Sequence, residues 1–185
     1  MKKFIFHFFL VTCSLSLFSM MPLSHIHAAY VLPYPSFMPG NTLYKVSRLF
    51  DEVEKIWSFG TIASLKYSIN QADKALVEGK TLFEYSQFKL GTEAIARSDS
   101  FVRLLPSFIR KGVGEGKDMT ELVNRINDQM VKHQEVLLLM KTQIPSSVSW
   151  NEERESPVSL SLSSTVSESI TIRSQVISDL NASNK

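Results

Sequence analysis

The sequence predicts an all-α protein: an up-and-down antiparallel helical bundle of about four main helices, with an extended proline-rich arm before it and a weaker C-terminal helix after it. Apolar residues recur at steps of three and four through most of residues 43–144, which is the spacing of one helical face. The breaks between these runs are short, and short loops make consecutive helices antiparallel neighbours. We divide the chain into residues 1–28, a signal peptide; 29–42, the arm; 43–144, the bundle; 145–159, a serine-rich linker; and 160–181, the C-terminal helix.

The first two predicted helices are separated by a short break around Gly60. Asn41 is expected to cap the first helix, because its side-chain oxygen can accept a hydrogen bond from a free backbone N–H. Gly60 suits the end of one helix and Thr61 the start of the next. The apolar faces of the two helices comprise Leu43, Val46, Phe50, Val53 and Trp57, then Ile62, Leu65, Ile69, Ala72 and Leu76.

The third predicted helix runs from Thr81 to about Leu105 and has apolar residues on two faces. A helix of this kind is expected to lie between two neighbouring helices. Pro106 should kink or end the helix, because proline lacks the backbone N–H and clashes with the preceding turn.

Two joints share the spelling Glu-Gly-Lys, around Gly79 and Gly116. We expect both glycines to end helices, with Thr81 and Asp118 capping the helices that follow. Residues 112–116 then form a flexible connection. A phosphate-binding loop would need another glycine five positions before Gly79 or Gly116, and the chain has lysine at both places.

The fourth predicted helix has the longest regular pattern and contains no breaker. It is long enough to pack against a partner helix in the manner of a coiled coil. One histidine lies among the residues of its apolar face. These residues are Met119, Leu122, Ile126, Met130, His133, Leu137, Met140 and Ile144.

Beyond Pro145 the composition shifts to serine, which is typical of a solvated linker. Helical spacing returns further on, so we predict a last, weaker helix. The run VSLSLS alternates like a strand, but without a second strand to pair it cannot hold a sheet, and we therefore expect none.

The N-terminus has the pattern of a secretory signal peptide: two lysines, then the apolar run Phe4–Phe18, then a small-residue end. Cleavage fits best after Ala28. An uncleaved membrane anchor is an alternative, and lipid attachment at Cys13 is another. Each alternative places the rest of the chain outside the cytoplasm, in a secreted, periplasmic or envelope-associated location.

Charge and cysteine content limit the possible partners. Removal of Lys2 and Lys3 would leave eighteen basic and eighteen acidic residues, so we expect no nucleic-acid partner. Cys13 is the only cysteine, so the mature chain has no disulfide to form. The predicted partners are an unknown envelope protein or a second copy of the chain, with membrane contact only through an uncleaved signal segment.

The arm carries aromatic residues between prolines that keep it extended. Tyr34 and Phe37, together with Tyr44 at the start of the first helix, are its candidate packing or partner-binding residues. We expect the arm to lie along the bundle and cover a groove between helices. The alternative is that the arm inserts into a groove of a partner.

Three segments carry a resemblance to a known family: LPYPSFMPGNTLYK at residues 32–45, LKYSINQADKALVEGKTLFE at 65–84, and KHQEVL at 132–137. They resemble a bacterial domain family of unknown function, whose members look like exported helical proteins. The family often has glycine at the position of Ser36 and proline at that of Thr42. The resemblance implies a fold and a compartment, and it brings no catalytic residues. Its matching positions are Leu32, Pro33, Tyr34, Pro35, Pro39, Leu43, Tyr44, Ala72, Asp73, Lys74 and Lys80.

The sequence contains no recognisable pattern for catalysis. His133 would be the only histidine left after signal removal, and it lacks a second metal ligand three or four residues away. We therefore interpret it as a packed or hydrogen-bonded side chain. The chain also lacks the Gly-x-Ser-x-Gly elbow of serine hydrolases. We expect no cofactor, no metal and no enzymatic activity.

The sequence therefore predicts a non-enzymatic protein of the bacterial cell envelope that acts by binding, as a structural or adaptor module. A chaperone-like helical protein that shields unfolded clients is one alternative. A hydrolase of envelope polymer is another, and it would need paired acidic residues in a cleft.

Overall fold

The computed structural model describes residues 30–34, 37–150 and 158–183 of the chain. The predicted signal segment, with Cys13 and the cleavage site at Ala28, lies outside this part. The described residues confirm the all-α class and the helical bundle. Their elements are α1 (Thr42–Trp57), α2 (Thr61–Glu84), α3 (Phe88–Gly114), α4 (Thr120–Gln143), β1 (Val148–Trp150), β2 (Val158–Leu160) and α5 (Leu162–Ser183).

Both signals predicted for the starts of α1 and α2 are confirmed. The side-chain oxygen of Asn41 accepts a hydrogen bond of 2.9 Å from the backbone N–H of Leu43. Helix α2 begins at Thr61 as predicted, whereas the expectation that Gly60 ends α1 is wrong, because α1 ends at Trp57. Gly60 instead directly precedes α2, with φ 88°. Glycine adopts this left-handed conformation without strain, so the chain can reverse between the two helices.

The expected helix end at Gly79 is wrong, because Gly79 lies in the middle of α2. A Cβ atom at this position would come within 2.8 Å of Cδ1 of Ile95, so the glycine allows α2 and α3 to approach closely. Thr81 is not a cap either, since its hydroxyl donates to the carbonyl of Val77 within the helix. The chain turns instead at Ser86, which has φ 59°.

The expected end of α3 at Pro106 is also wrong, because the helix continues to Gly114. Residues 112–114, which were expected in a flexible connection, form its last turn. Gly112 is buried there, and a Cβ on it would come within 2.7 Å of the sulfur of Met119. The glycine thus lets the start of α4 pack against the end of α3.

The joint between α3 and α4 has the predicted turn and cap. Gly116 follows the end of α3 with φ 73°. The carboxylate of Asp118 accepts a 2.9 Å hydrogen bond from the backbone N–H of Thr120, the first residue of α4. Hydrogen bonds from the backbone N–H and the side chain of Thr120 lower the pKa of Asp118.

The expectation that the chain forms no sheet is wrong. Strands β1 and β2 pair antiparallel, with Val148 opposite Leu160 and Trp150 opposite Val158. The second strand that VSLSLS needed is the short run Val148–Trp150, which sequence periodicity alone does not distinguish from linker. The pair connects the end of α4 to the start of α5.

Helices α2 to α5 form the bundle, and they alternate in direction along the chain. Helix α2 packs against α3, α3 against α5, and α5 against α4. The C-terminal helix, predicted to be the weaker one, contributes five buried apolar residues, whereas α1 has no buried residue and packs most closely on α2. The apolar residues of α5 in the core are Leu162, Val166, Ile172, Val176 and Leu180.

The apolar core of the bundle is divided into two clusters. The larger cluster includes Leu65 of α2, Leu105 of α3 and Ile126 of α4. The smaller cluster includes Leu76 of α2 and Leu137 of α4. On each of the four helices the two clusters occupy different stretches, and polar residues lie between them.

Candidate functional site

A layer of polar side chains crosses the bundle between the two apolar clusters. Each of the four bundle helices contributes to it, and six of its seven residues are buried. Polar groups in such a position are tolerated only when they are hydrogen-bonded to one another. We call the following residues the polar layer: Asp73, Ser98, Asp99, Gln129, His133, Ser169 and Arg173.

One half of the polar layer is centred on Asp73 of α2. Its Oδ1 lies 2.7 Å from Nε2 of His133 and accepts a 2.6 Å hydrogen bond from Nε2 of Gln129. Its Oδ2 accepts a hydrogen bond from the hydroxyl of Tyr30. The same Gln129 amide donates to the Tyr30 hydroxyl at 2.9 Å. Three side chains therefore hold one carboxylate, and one of them belongs to the arm.

The protonation of His133 follows from its burial. Removal from water disfavours the charged imidazolium, and this outweighs the hydrogen bond to Asp73, so the pKa of His133 lies below its ordinary value. A neutral ring that donates from Nε2 to Asp73 leaves Nδ1 as an acceptor, and Nδ1 has no hydrogen-bond partner among the described residues.

The other half of the polar layer is centred on Arg173 of α5. Its guanidinium forms an ion pair with Asp99 of α3, and it donates to the hydroxyls of Ser98 at 2.8 Å and Ser169 at 2.6 Å. The Ser98 hydroxyl in turn donates to the backbone carbonyl of Ala72 at 2.8 Å. Burial lowers the pKa of Arg173, and Asp99 opposes this effect. The network joins α2, α3 and α5.

The chemistry of the polar layer is that of a closed network. A general base must reach the proton that it removes, yet His133 has no exposed surface and Asp73 is held by three hydrogen-bond partners. In residues 30–34, 37–150 and 158–183, no group of three or more His, Cys, Asp or Glu side chains is arranged to hold a metal ion. The arrangement favours a structural role for His133, as the sequence analysis interpreted it.

Helix α1 is attached to the bundle through its polar side. The carboxylate of Asp51 accepts 3.1 Å hydrogen bonds from Gln71 and Lys74 of α2. Its backbone carbonyl accepts another of 3.1 Å from the hydroxyl of Tyr67. Lys74 also lies 3.7 Å from Glu54.

Tyr44 makes a further link between α1 and α2. Its hydroxyl donates to Glu78 at 3.0 Å, and Arg97 of α3 forms an ion pair of 2.7 Å with the same carboxylate. Burial, followed by the charge of Glu78, raises the pKa of Tyr44. The phenol therefore stays neutral and keeps its role as donor.

The apolar side of α1 is exposed. On a helical wheel its residues span a continuous arc that lies roughly opposite Tyr44 and Asp51. Trp57 is 78% exposed and Phe50 68% exposed, so these are not side chains covered by the bundle. Exposed apolar surface that forms one contiguous patch marks an interaction site in soluble proteins. We call the following residues the outer face of α1: Leu43, Val46, Leu49, Phe50, Val53, Ile56 and Trp57.

The residues predicted in the arm lie in different surroundings. Tyr34 is 93% exposed and Phe37 about half exposed, whereas Tyr44 contacts the bundle as described. The arm is held instead by Tyr30, through the polar layer, and by Leu32, which packs against the smaller apolar cluster. The sequence pattern placed Tyr30 in the arm but did not single it out as a contact, because its partners Asp73 and Gln129 lie on distant helices and leave no local signal.

Comparison of the chain with protein-family models, with curated proteins and with solved structures gives no match. The resemblance to a bacterial domain family therefore stays a prediction. Among the helices that the structure describes, none is both long enough and apolar enough to cross a membrane.

Proposed function

We propose that this chain is a non-enzymatic binding protein, exported to the bacterial cell envelope, in which it acts as a structural or adaptor module through the outer face of α1. The observation that supports this role is the orientation of α1. Two of its carboxylates, those of Asp51 and Glu54, hold it on α2, and its apolar residues are left in solvent.

Helix α1 is held on the bundle in a fixed orientation. Hydrogen bonds and ion pairs from Tyr44, Asp51 and Glu54 connect the helix to α2 at both of its halves. The outer face is therefore presented by a helix of fixed orientation, which reduces the entropy lost when a partner binds.

Export is supported by the signal-peptide pattern of residues 1–28. Export is tested by expressing the full chain with its own N-terminus and by determining the N-terminal sequence of the protein that the cell releases. We expect the released protein to begin at Ala29. Retention of the chain in the cytoplasm would contradict the envelope role.

The adaptor role is tested by crosslinking in the native cell. A photoreactive amino acid placed at Phe50, on the outer face, should capture a small number of defined proteins. The matched control is Leu138, which is exposed as well but lies on α4, a different helix. Equal capture at the two positions would contradict a specific role for the outer face.

The chaperone alternative uses the same exposed surface and predicts a different result. A chaperone should give a broad range of crosslinked products at Phe50, and it should suppress aggregation of a denatured test protein without a fixed stoichiometry. The hydrolase alternative predicts turnover of envelope polymer that one carboxylate substitution abolishes. Asp73 and Glu78, two acidic residues buried in the bundle, are already paired with His133 and Arg97.

A further inference from the structure

We infer that the partner of the outer face of α1 is a second copy of this chain, which binds antiparallel along the helix. This inference deepens the proposed function and rests on it, because it names the occupant of the same surface. It is carried by the spacing of the apolar residues, by the positions of the charges and by the area of the patch.

The spacing is that of a helix-pairing seam. Leu43, Val46, Phe50, Val53 and Trp57 are separated by three, four, three and four residues, which is the a/d pattern of a heptad repeat. Leu49 and Ile56 extend the apolar surface along one edge of the seam. An irregular apolar patch would be suited to many partners, whereas this spacing fits another helix that carries the same repeat.

The order of large and small side chains favours the antiparallel direction. In an antiparallel pair, a positions face d positions, so Phe50 would lie opposite Val53 of the copy and Trp57 opposite Val46. Each layer then combines a large residue with a small one, as well-packed interfaces require. A parallel pair would instead place Phe50 against Phe50 and Trp57 against Trp57, with valine pairs between them.

The charges of α1 leave the seam free. Lys45, Arg48, Glu52 and Lys55 occupy positions of the heptad that point away from a partner helix. Asp51 and Glu54 are engaged with Lys74 of α2. A second copy can therefore approach without placing like charges opposite each other. The helix carries three basic and three acidic residues, so it has no excess positive charge to attract anionic lipid.

The exposed area supplies a large part of what a dimer interface needs. The aromatic side chains of Phe50 and Trp57, 68% and 78% exposed, can each bury roughly 150–250 Å². Five aliphatic side chains, each about half to two thirds exposed, add to them, so the face offers several hundred Å². Stable interfaces bury about 800 Å² on each partner. The same residues serve on both copies, which is the arrangement of a two-fold symmetric dimer.

The molar mass in solution tests the dimer. The full chain, expressed with its own N-terminus and purified as the cell releases it, should have twice the mass of a monomer by light scattering. Phe50→Glu should raise the dimer dissociation constant at least about a hundredfold, because each dimer would bury two unpaired carboxylates. Leu138→Glu, on a different exposed surface, should leave the dimer unchanged.

Disulfide crosslinking tests the direction. In a Cys13→Ser background, Val46→Cys and Trp57→Cys chains should crosslink when mixed, and neither should crosslink to itself. Crosslinking of each variant to itself would show a parallel pair and overturn the proposal. A protein that stays monomeric in the micromolar range, or a dimer that Phe50→Glu leaves intact, would overturn it as well.

The remaining outcomes separate this inference from the proposed function. A monomer that sediments with anionic lipid vesicles, or that suppresses aggregation of a denatured protein, rejects the dimer and identifies another occupant. A monomer whose Phe50 position still captures another envelope protein rejects the dimer and leaves the adaptor role standing. A chain that the cell retains in the cytoplasm, but that forms the expected dimer when it is purified from there, rejects the envelope role alone.

Discussion

The polar layer and helix α1 distribute their polar and apolar groups in opposite ways. In the polar layer, charged side chains lie in the middle of the apolar core and bond to one another across four helices. In α1, the carboxylates of Asp51 and Glu54 bind Lys74 of the bundle, and the apolar side chains face the solvent. Polar contacts fix the position of neighbouring elements in both regions, but only α1 has apolar surface left for another molecule.

The two regions should therefore respond differently to substitution. A change in the polar layer leaves a buried partner without its hydrogen bond and lowers stability. A change on the outer face of α1 alters surface that the folded monomer does not cover, and it should affect association alone.

Arg173→Met should lower the free energy of unfolding by about 3–5 kcal/mol, because it removes one partner of a buried ion pair and leaves Asp99 uncompensated. Urea denaturation followed by circular dichroism measures the change. The control is Arg103→Met, which breaks an exposed pair with Glu168 and should change stability by less than about 1 kcal/mol. Equal stability of the two variants would mean that the buried pair contributes no more than a surface one.

Tyr30→Phe should cost about 1–3 kcal/mol, because it removes the hydroxyl that donates to Asp73 and accepts from Gln129. The matched control is Tyr34→Phe in the same arm, which should change stability by less than about 0.5 kcal/mol because Tyr34 is almost fully exposed. Thermal melting of both variants compares them. If Tyr30→Phe has the same melting temperature as the wild type, the arm is not held by this hydroxyl.

Acidification should destabilise the protein through His133. Burial lowers the pKa of His133 in the folded state, so below about pH 6.5 the unfolded chain binds a proton that the folded chain does not. The stability associated with a neutral His133 is therefore complete above that pH and decreases as the pH falls.

The measurement is the free energy of unfolding between pH 8 and 5 for the wild type and for His133→Gln. The variant should have a lower stability at neutral pH and a smaller decrease on acidification, since glutamine does not titrate. An unchanged slope would assign the pH dependence to other groups.

Phe50→Ser should change the free energy of unfolding of the monomer by less than about 0.5 kcal/mol, although it replaces a large apolar residue. The measurement requires a protein concentration below that at which the chain associates, because association raises apparent stability. A loss of 2 kcal/mol or more would show that Phe50 is packed in the monomer, and the outer face would no longer be free surface.

Sequence periodicity predicted the fold class, the cap at Asn41 and the turns at Gly60 and Gly116, because each depends on residues close together in the chain. It failed at Gly79, since a glycine that ends a helix and a glycine that permits close packing look alike without the neighbouring helix. Ile95, the residue that explains Gly79, is sixteen positions away.

The polar layer was harder to predict for the same reason. Ser169 and Arg173 lie on the buried face of α5, between Val166 and Val176 at steps of three and four residues. In a serine-rich tail, however, the sequence pattern predicts that polar residues are exposed to solvent. Their partner Asp99 lies about seventy residues earlier. His133 was predicted as a packed or hydrogen-bonded side chain, yet its partner Asp73 is on another helix and has no local signal.

The polar layer also limits how the helices can slide along one another. A shift of any helix by one turn, about 5.4 Å, would move its polar residues into one apolar cluster and bring leucine or isoleucine opposite the remaining charges. Apolar side chains alone would tolerate such a shift, because one branched residue resembles another in size. The buried charges thus define one alignment of the four helices along the bundle axis. That alignment also determines where along the axis Tyr30 holds the arm and where α1 presents its outer face.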